Sequence, residues 1–259
     1  MNLDFFKYQG TGNDFVIIDN RQNVFPKNNK ALVAKLCNRK FGIGADGLIL
    51  LENAKDANFT MAYFNADGAI GSMCGNGGRC IVAFAKHLGI IEEQCIFIAA
   101  DGLHRAYFSN HLVSLKMNDV HNIKKGNNYV FLDTGSPHHI VFVPDVDKVD
   151  VFNEGKTIRY GKPYFEKGTN VNYVSQNSNS HIAVRTYERG VEDETLSCGT
   201  GVTAAALAVH FIGKTDKENI KIATRGGNLQ VSFKKLNGIY KDIYLTGPAE
   251  QVFKGTINI

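Results

Sequence analysis

Short apolar runs alternate along the chain with clusters of Gly, Asn and Asp, and long amphipathic stretches are few. Residues 15–19, 47–51, 60–64, 94–99, 113–117, 129–133, 140–143, 183–187, 221–223, 229–233 and 243–246 are short, often alternate in polarity and end at turn-forming residues, which predicts strands. Helical spacing is predicted over residues 30–38 and in two further segments, 78–88 and 202–212. The last two each stop at a glycine, Gly89 and Gly213, suited to a helix C-terminus. The pattern predicts an α+β fold of mainly antiparallel sheet, with one dominant helix per half.

The halves match one another. Cys74-Gly75-Asn76-Gly77 reappears as Cys198-Gly199-Thr200-Gly201, and both the cysteines and the closing glycines are 124 residues apart. At the same offset Tyr63 matches Tyr187, Ile96-Phe97-Ile98 matches Ile220-Lys221-Ile222, and Gly102 matches Gly226. Nearer the start of each half, Gly12-Asn13-Asp14-Phe15-Val16 answers to Gly135-Ser136-Pro137-His138-His139 at an offset of 123. The repetition predicts two similar, pseudo-symmetric domains. The expected division is residues 1–118, completed by a C-terminal strand at 250–259, and residues 119–249.

Composition narrows the class. At 259 residues with 44% hydrophobic and 21% charged side chains, the chain reads as a globular protein with a substantial core. A net charge of +4, spread rather than clustered, gives no reason to expect a nucleic-acid partner. Apolar runs fall short of the ~18 residues that span a bilayer, and Met1-Asn2-Leu3-Asp4 does not begin a signal peptide. Five cysteines, an odd number without dense spacing, predict free thiols in a reducing, cytoplasmic setting.

The chemistry sits at the repeated cysteines. Each precedes a predicted helix behind a glycine-rich turn. Amides at a helix start lack intrahelical partners and carry partial positive charge, so such a start binds a carboxylate and favours a thiolate. Two of them suit removal of a proton beside a carboxylate. The amides stabilise the enediolate, one thiolate acts as base and the other thiol as acid, and no cofactor is required. Cys37, Cys80 and Cys95 read as buried small hydrophobes. No Cys-x-x-Cys pair supports zinc, Gly42-Ile43-Gly44-Ala45-Asp46-Gly47 does not open an alternating strand–helix unit, and no P-loop is present. No metal and no cofactor are therefore expected.

Through most of its length the sequence resembles the diaminopimelate epimerases. The resemblance is carried by Gly10-Thr11-Gly12-Asn13-Asp14-Phe15, Gly42-Ile43-Gly44-Ala45-Asp46-Gly47, Phe64-Asn65-Ala66-Asp67-Gly68 and Met73-Cys74-Gly75-Asn76-Gly77-Gly78-Arg79-Cys80. In the second half it rests on Gly135-Ser136-Pro137-His138, Gly168-Thr169-Asn170-Val171, Tyr187-Glu188-Arg189-Gly190 and Ser197-Cys198-Gly199-Thr200-Gly201. It implies two barrel-like domains, each a sheet around a central helix with the site in the cleft between them, and conversion of LL- to meso-diaminopimelate for lysine and peptidoglycan synthesis. It implies that Cys74 and Cys198 are the acid/base pair, that Gly75, Asn76, Gly199 and Thr200 hold the reacting carboxylate, and that Asn13 positions the reacting end. Asn65, Asn170 and Arg189 would hold the distal end, Glu188 would contact the amine, and His138 and Glu188 would tune the cysteines.

Asp14, Asp46 and Asp67 are read as turn or capping residues. Two positions depart from the family: Gly47, where many members have Gln, and Ser136, where many have Asn. They bear on specificity, so a racemase of another amino acid stays open as an alternative, and a non-catalytic amino-acid-binding module is a further one. The expected partner is a small-molecule substrate, with neither nucleic acid nor membrane, and a homodimer stays open.

Overall fold

The computed structural model describes residues 1–71 and 73–259. The chain divides into two compact units, Met1–Leu115 with Gly247–Ile259, and Lys116–Thr246. In the first unit the elements are β1 (Asn2–Gly10), β2 (Asn13–Asp19), α1 (Lys30–Cys37), β3 (Gly47–Glu52), β4 (Phe59–Asn65), α2 (Gly75–His87), β5 (Gln94–Ala99), β6 (Gly102–Ser109) and β7 (Leu112–Lys116). The second carries β8 (Ile123–Lys125), β9 (Tyr129–Asp133), β10 (Pro137–Phe142), α3 (Val151–Tyr160), β11 (Asn170–Ser178), β12 (His181–Glu188), β13 (Asp193–Thr195), α4 (Gly199–Phe211), β14 (Asn219–Thr224), β15 (Gly227–Leu236) and β16 (Ile239–Pro248). The last strand, β17 (Glu250–Asn258), pairs antiparallel with β1.

Most pairings in the first unit are antiparallel, with β2–β3 and β4–β5 parallel. The second unit follows suit, with β10–β11 and β12–β14 parallel among antiparallel neighbours. The registers correspond. Phe15 faces Gly47 across β2–β3 and His138 faces Asn170 across β10–β11, both 123 residues further on. Ile49 faces Tyr63 across β3–β4, and Asn172 faces Thr186 across β11–β12 at the same offset.

One helix in each unit is buried on all sides. Residues 75–85 of α2 are all buried, and α2 packs against β1, β2, β3, β6 and β17. The apolar run of α4 is buried from Val202 to Val209 and meets β9, β10, β11, β12, β14 and β15. A helix enclosed in this way is expected to be apolar around its circumference, as α4 largely is, whereas α2 also buries Asn76 and Arg79. Strands β2 and β3 are near-continuous apolar runs because both faces are covered. Val16, Ile18, Leu48 and Leu50 pack on α1 through Val33 and Leu36, while Phe15, Ile49 and Met61 lie beneath Gly77 of α2.

Both long helices begin three residues earlier than their sequences predict, at Gly75 and Gly199. Glycine is a poor helix former in isolation, but the start of each helix lies too close to its sheet for a side chain. A Cβ at Gly201 would lie 2.3 Å from Asn172 Oδ1. Helix α3 is missed by sequence reasoning for a similar reason. Gly155 interrupts its pattern, yet a Cβ there would lie 2.5 Å from Tyr187 Cβ, so the glycine permits close packing on β12. The pattern also fails to predict β11 before residue 178, because its inward positions include buried Asn170, Asn172 and Ser175.

Candidate active site

In the first unit, Cys74 is the N-cap of α2, in extended conformation with φ −109° and ψ 128°, and its side chain makes no capping bond. Its carbonyl accepts from Gly78 N at 2.7 Å, so the backbone starts the helix and the sulfur is not used for that purpose. The helix geometry leaves the amides that follow without intrahelical acceptors. Asn13, entering β2 after the positive-φ pair Thr11 (53°) and Gly12 (90°), points its side chain at this start. Its Oδ1 accepts from Cys74 Sγ at 3.7 Å and from Asn76 Nδ2 at 3.3 Å. On its other side, Asn13 Nδ2 donates to Asp46 Oδ2 at 2.5 Å.

Two ionic features support this arrangement. Asp46 and Asp14 share Arg39, which donates to Asp46 Oδ1 and both oxygens of Asp14 at 2.7–2.9 Å. Lys7 pairs with Asp14 at 2.8 Å and donates to the Gly44 carbonyl. Burial raises the pKa of Asp14, but hydrogen bonds and charge from Arg39 and Lys7 outweigh it and hold the carboxyl at about 2. The second feature is Arg79, fully buried in α2. It donates to Thr11 Oγ1 at 3.0 Å, Asn76 Oδ1 at 2.9 Å, Gly75 O at 3.3 Å and Pro248 O at 3.4 Å. No carboxylate pairs with it among the described residues, and burial lowers its pKa against the opposing influence of Cys80 and Cys74. Arg79 thus fixes both the strained turn at Thr11 and the amide of Asn76.

Sequence reasoning read Asp14 and Asp46 as turn or capping residues. Each does accept the other's backbone N–H. They also anchor Asn13 and Arg39, which requires tertiary contacts that one sequence does not display. Asp67 accepts from Ala69 N, as a turn residue would. Asn65 is exposed at the end of β4 and makes no hydrogen bond to the Cys74 cluster among the described residues. Gly47 lies against the Tyr63 ring. A Cβ there would come within 2.5 Å of Tyr63 Cε2 and 2.7 Å of Phe64 O, so this chain has an aromatic ring where the longer family side chain would begin.

In the second unit, Cys198 is the N-cap of α4, with φ −124° and ψ 113°, again without a side-chain cap bond. Its sulfur lies 3.5 Å from Thr200 Oγ1. Thr134 Oγ1 donates to Thr200 O, and Thr203 Oγ1 donates to Gly199 O, so the first turn is fixed by hydroxyls. Beneath it are three polar side chains. Asn172 Nδ2 donates to His138 Nδ1 at 3.0 Å, while Asn172 Oδ1 accepts from Thr186 Oγ1 at 2.9 Å. This places the His138 proton on Nε2, which has no hydrogen-bond partner among the described residues. Burial, aided by Arg189, lowers the His138 pKa to about 3, so the ring is neutral. By the strand registers the matching positions of the first unit are Phe15, Ile49 and Tyr63, two apolar side chains and a phenol.

Asn170 is almost wholly occupied by protein. Its Nδ2 donates to Ser136 Oγ and Pro137 O, both at 2.9 Å, and its Oδ1 accepts from Arg189 N at 2.9 Å. Arg189 itself is exposed, with Nη1 donating to Lys167 O at 3.0 Å. Glu188 accepts from Thr195 Oγ1 at 2.9 Å. The glycine of the Gly168-Thr169-Asn170 motif is required by a neighbour, since at φ 62° its Cβ would meet the Arg159 guanidinium.

The other three thiols, buried as Cys198 also is, cap no helix start. Cys37, Cys80 and Cys95 are buried, and burial pushes Cys37 up to about 11 and Cys95 up to about 12, with Cys80 raised further still. They remain protonated and inert at neutral pH. Among the described residues, no group of three or more His, Cys, Asp or Glu side chains is placed to hold a metal ion, and no helix is long and apolar enough to cross a membrane.

Comparison with known proteins gives concordant matches. The pattern of the diaminopimelate epimerase family matches residues 5–105 and 130–252. A diaminopimelate epimerase of Flavobacterium psychrophilum is 56% identical over 256 residues, covering 98% of this chain and 100% of its own. One from Chlorobaculum tepidum is 44% identical over 259 residues, covering 96% and 99%. Among solved structures, a phenazine biosynthesis protein of Bacillus anthracis superposes with a TM-score of 0.78 over 100% of both chains at 14% identity. A hydroxyproline epimerase of Agrobacterium vitis does so at 0.69 over 99% and 92%, at 15% identity. At those identities the likeness is one of fold.

Proposed function

The chain belongs to the diaminopimelate epimerase family, and on that premise we propose that Cys74 and Cys198 are the two bases with which it interconverts LL- and meso-diaminopimelate. The observation that carries the proposal is the shared placement of these two thiols. Each is the N-cap of a buried helix and makes no side-chain capping bond, whereas Cys37 ends α1, Cys80 lies within α2 and Cys95 within β5, and burial raises the pKa of all three.

The reaction removes the α-proton of an amino acid and returns one to the opposite face. The obstacle is the carbanion, whose charge must pass to the carboxylate oxygens. Amides of Gly75 and Asn76, and of Gly199 and Thr200, carry the partial positive charge of a helix start to which those oxygens can bind. One cysteine takes the proton as thiolate and the other gives one as thiol, so a turnover leaves the pair in exchanged protonation states. Asn13 positions the reacting end. Glu188 receives the α-ammonium group, and Asn65, Asn170 and Arg189 hold the distal amino-acid group. His138, as a neutral ring, and Glu188, as a carboxylate, tune the thiols.

The matched strand registers and the matched cysteine caps further support reading each unit as a barrel-like sheet around its long helix, the two related by duplication. The test of the acid/base assignment is the pair of single variants. Cys74→Ala and Cys198→Ala should each lose at least ~10²-fold in epimerisation rate, the low end for removal of a general acid or base. Normal turnover by either variant would overturn the assignment.

A further inference from the structure

We propose that Asp46 is a positioning residue that fixes the amide orientation of Asn13 and thereby holds Cys74 as a thiol. The inference rests on the reading of Cys74 as one of the two bases.

An ionised carboxylate accepts hydrogen bonds and donates none. Asp46 Oδ2 lies 2.5 Å from the Asn13 side chain, so the Asn13 amide nitrogen must face it. That turns Asn13 Oδ1 the other way, to within 3.7 Å of Cys74 Sγ. The far side is fixed in the same sense. Arg79, which only donates, engages Asn76 Oδ1 at 2.9 Å, so Asn76 presents Nδ2 to Asn13 Oδ1 at 3.3 Å. A carboxylate at one end and a guanidinium-oriented amide at the other leave Asn13 one orientation.

That orientation has a consequence for the sulfur. An amide oxygen accepts an S–H proton but offers nothing to a thiolate. The start of α2 favours the anion, and the Asn13 carbonyl opposes it. Cys74 is thereby kept as the proton-bearing member until substrate arrives. Among the described residues of the first unit, Arg79 and Cys80 on α2 interact electrostatically with Cys74, and Asp14 on β2, Lys7 on β1, Asp46 ahead of β3 and Arg39 beyond α1 form the ionic cluster behind Asn13. Of these carboxylates, Asp46 alone bonds to the Asn13 side chain among the described residues. Arg39, at 2.7 Å from Asp46 Oδ1, holds that carboxylate in place.

The test is Asp46→Asn. Arg39 can only donate, so it claims the new amide oxygen and sets the new NH₂ against the Asn13 Nδ2 and Asp14 N–H that Asp46 Oδ2 accepted. Asn13 is then held by Asn76 alone, and the contact of its Oδ1 with the Cys74 sulfur, which favours the thiol, is loosened. The readout is the rate of Cys74 carbamidomethylation by iodoacetamide across pH, followed by mass spectrometry of the full-length protein's Cys74 peptide. The midpoint should fall by about 0.5–1 pH unit relative to wild type, the size expected for weakening one hydrogen bond that favours the thiol. Asp14→Asn is the control, because it removes the same charge from the same Arg39 cluster without touching the Asn13 side chain. A wild-type midpoint in Asp46→Asn, or an equal fall in Asp14→Asn, would overturn the proposal. If Asp46→Asn does not fold, Asp46→Ala, which removes the acceptor that orients Asn13, is read against the same two outcomes. Failure of the underlying assignment would appear separately, as normal turnover by Cys74→Ala.

Discussion

Arg189 is tied down through its backbone and left open at its guanidinium. Its N–H donates to Asn170, Nη1 donates to Lys167 O, and the side chain is otherwise exposed. A fork held this way can pair with a distal carboxylate through two parallel N–H bonds. Arg189→Ala should lower kcat/KM for LL-diaminopimelate by ~10–10²-fold, the loss expected for one charged hydrogen-bonding partner. It should also erase most of the preference over an amino acid with no distal carboxylate, with Arg189→Lys a partial rescue. Equal preference in wild type and Arg189→Ala would remove Arg189 from distal recognition. At this scale the sequence marks residues whose chemistry is local. The cysteines are legible because Cys-Gly-x-Gly occurs twice. Asn172 and the Asp46–Asn13 link are not, because their meaning comes from contacts dozens of residues away.

At the scale of elements, helix α4 shows two effects in opposition. Alanine is a better helix former than glycine by ~1 kcal/mol, so Gly201→Ala on an open helix would stabilise it. Here the added Cβ would lie 2.3 Å from Asn172 Oδ1 and 3.3 Å from Cys198 Cβ. Overpacking of a rigid interior costs about 1–3 kcal/mol, and the clash wins. Gly201→Ala should therefore lower the urea midpoint of unfolding, and should also reduce turnover by displacing the start of the helix that Cys198 caps. A raised midpoint would contradict this packing. The same crowding explains why the starts of α2 and α4 are hidden from propensity, while the strand limits 94–99 and 129–133, set by local alternation and turn residues, are read directly. Helix α3 is illegible because Gly155 answers to Tyr187, a neighbour in space alone.

For the molecule as a whole, the buried imidazoles set the acid limit of stability. Burial lowers His138 to about 3, with a further contribution from Arg189, and lowers His139 to about 4. In the unfolded chain each titrates near 6.5. Below that value the unfolded state binds protons that the folded state refuses, so stability is complete above ~6.5 and declines as pH falls toward the folded values. Asp14, held at about 2 against an ordinary 3.8, adds a loss in the same direction below 3.8. The unfolding free energy should thus fall by a few kcal/mol between pH 7 and pH 5, on the order of 2 kcal/mol per fully buried imidazole. Urea titrations at the two pH values check this, and a flat profile would contradict it. The duplicated sequence announces two similar halves, yet it does not announce that Phe15, Ile49 and Tyr63 in one correspond to His138, Asn172 and Thr186 in the other. That asymmetry distinguishes the surroundings of two otherwise equivalent cysteines.

On the proposed mechanism two different groups exchange protons with one α-carbon. It is tested most directly by running LL-diaminopimelate with the enzyme in deuterium oxide and stopping at low conversion. Two bases predict meso product carrying one deuterium at the inverted carbon, and recovered LL substrate still carrying protium. Meso product that retains the original protium would mean that a single group removes and returns the same proton, and would contradict the account.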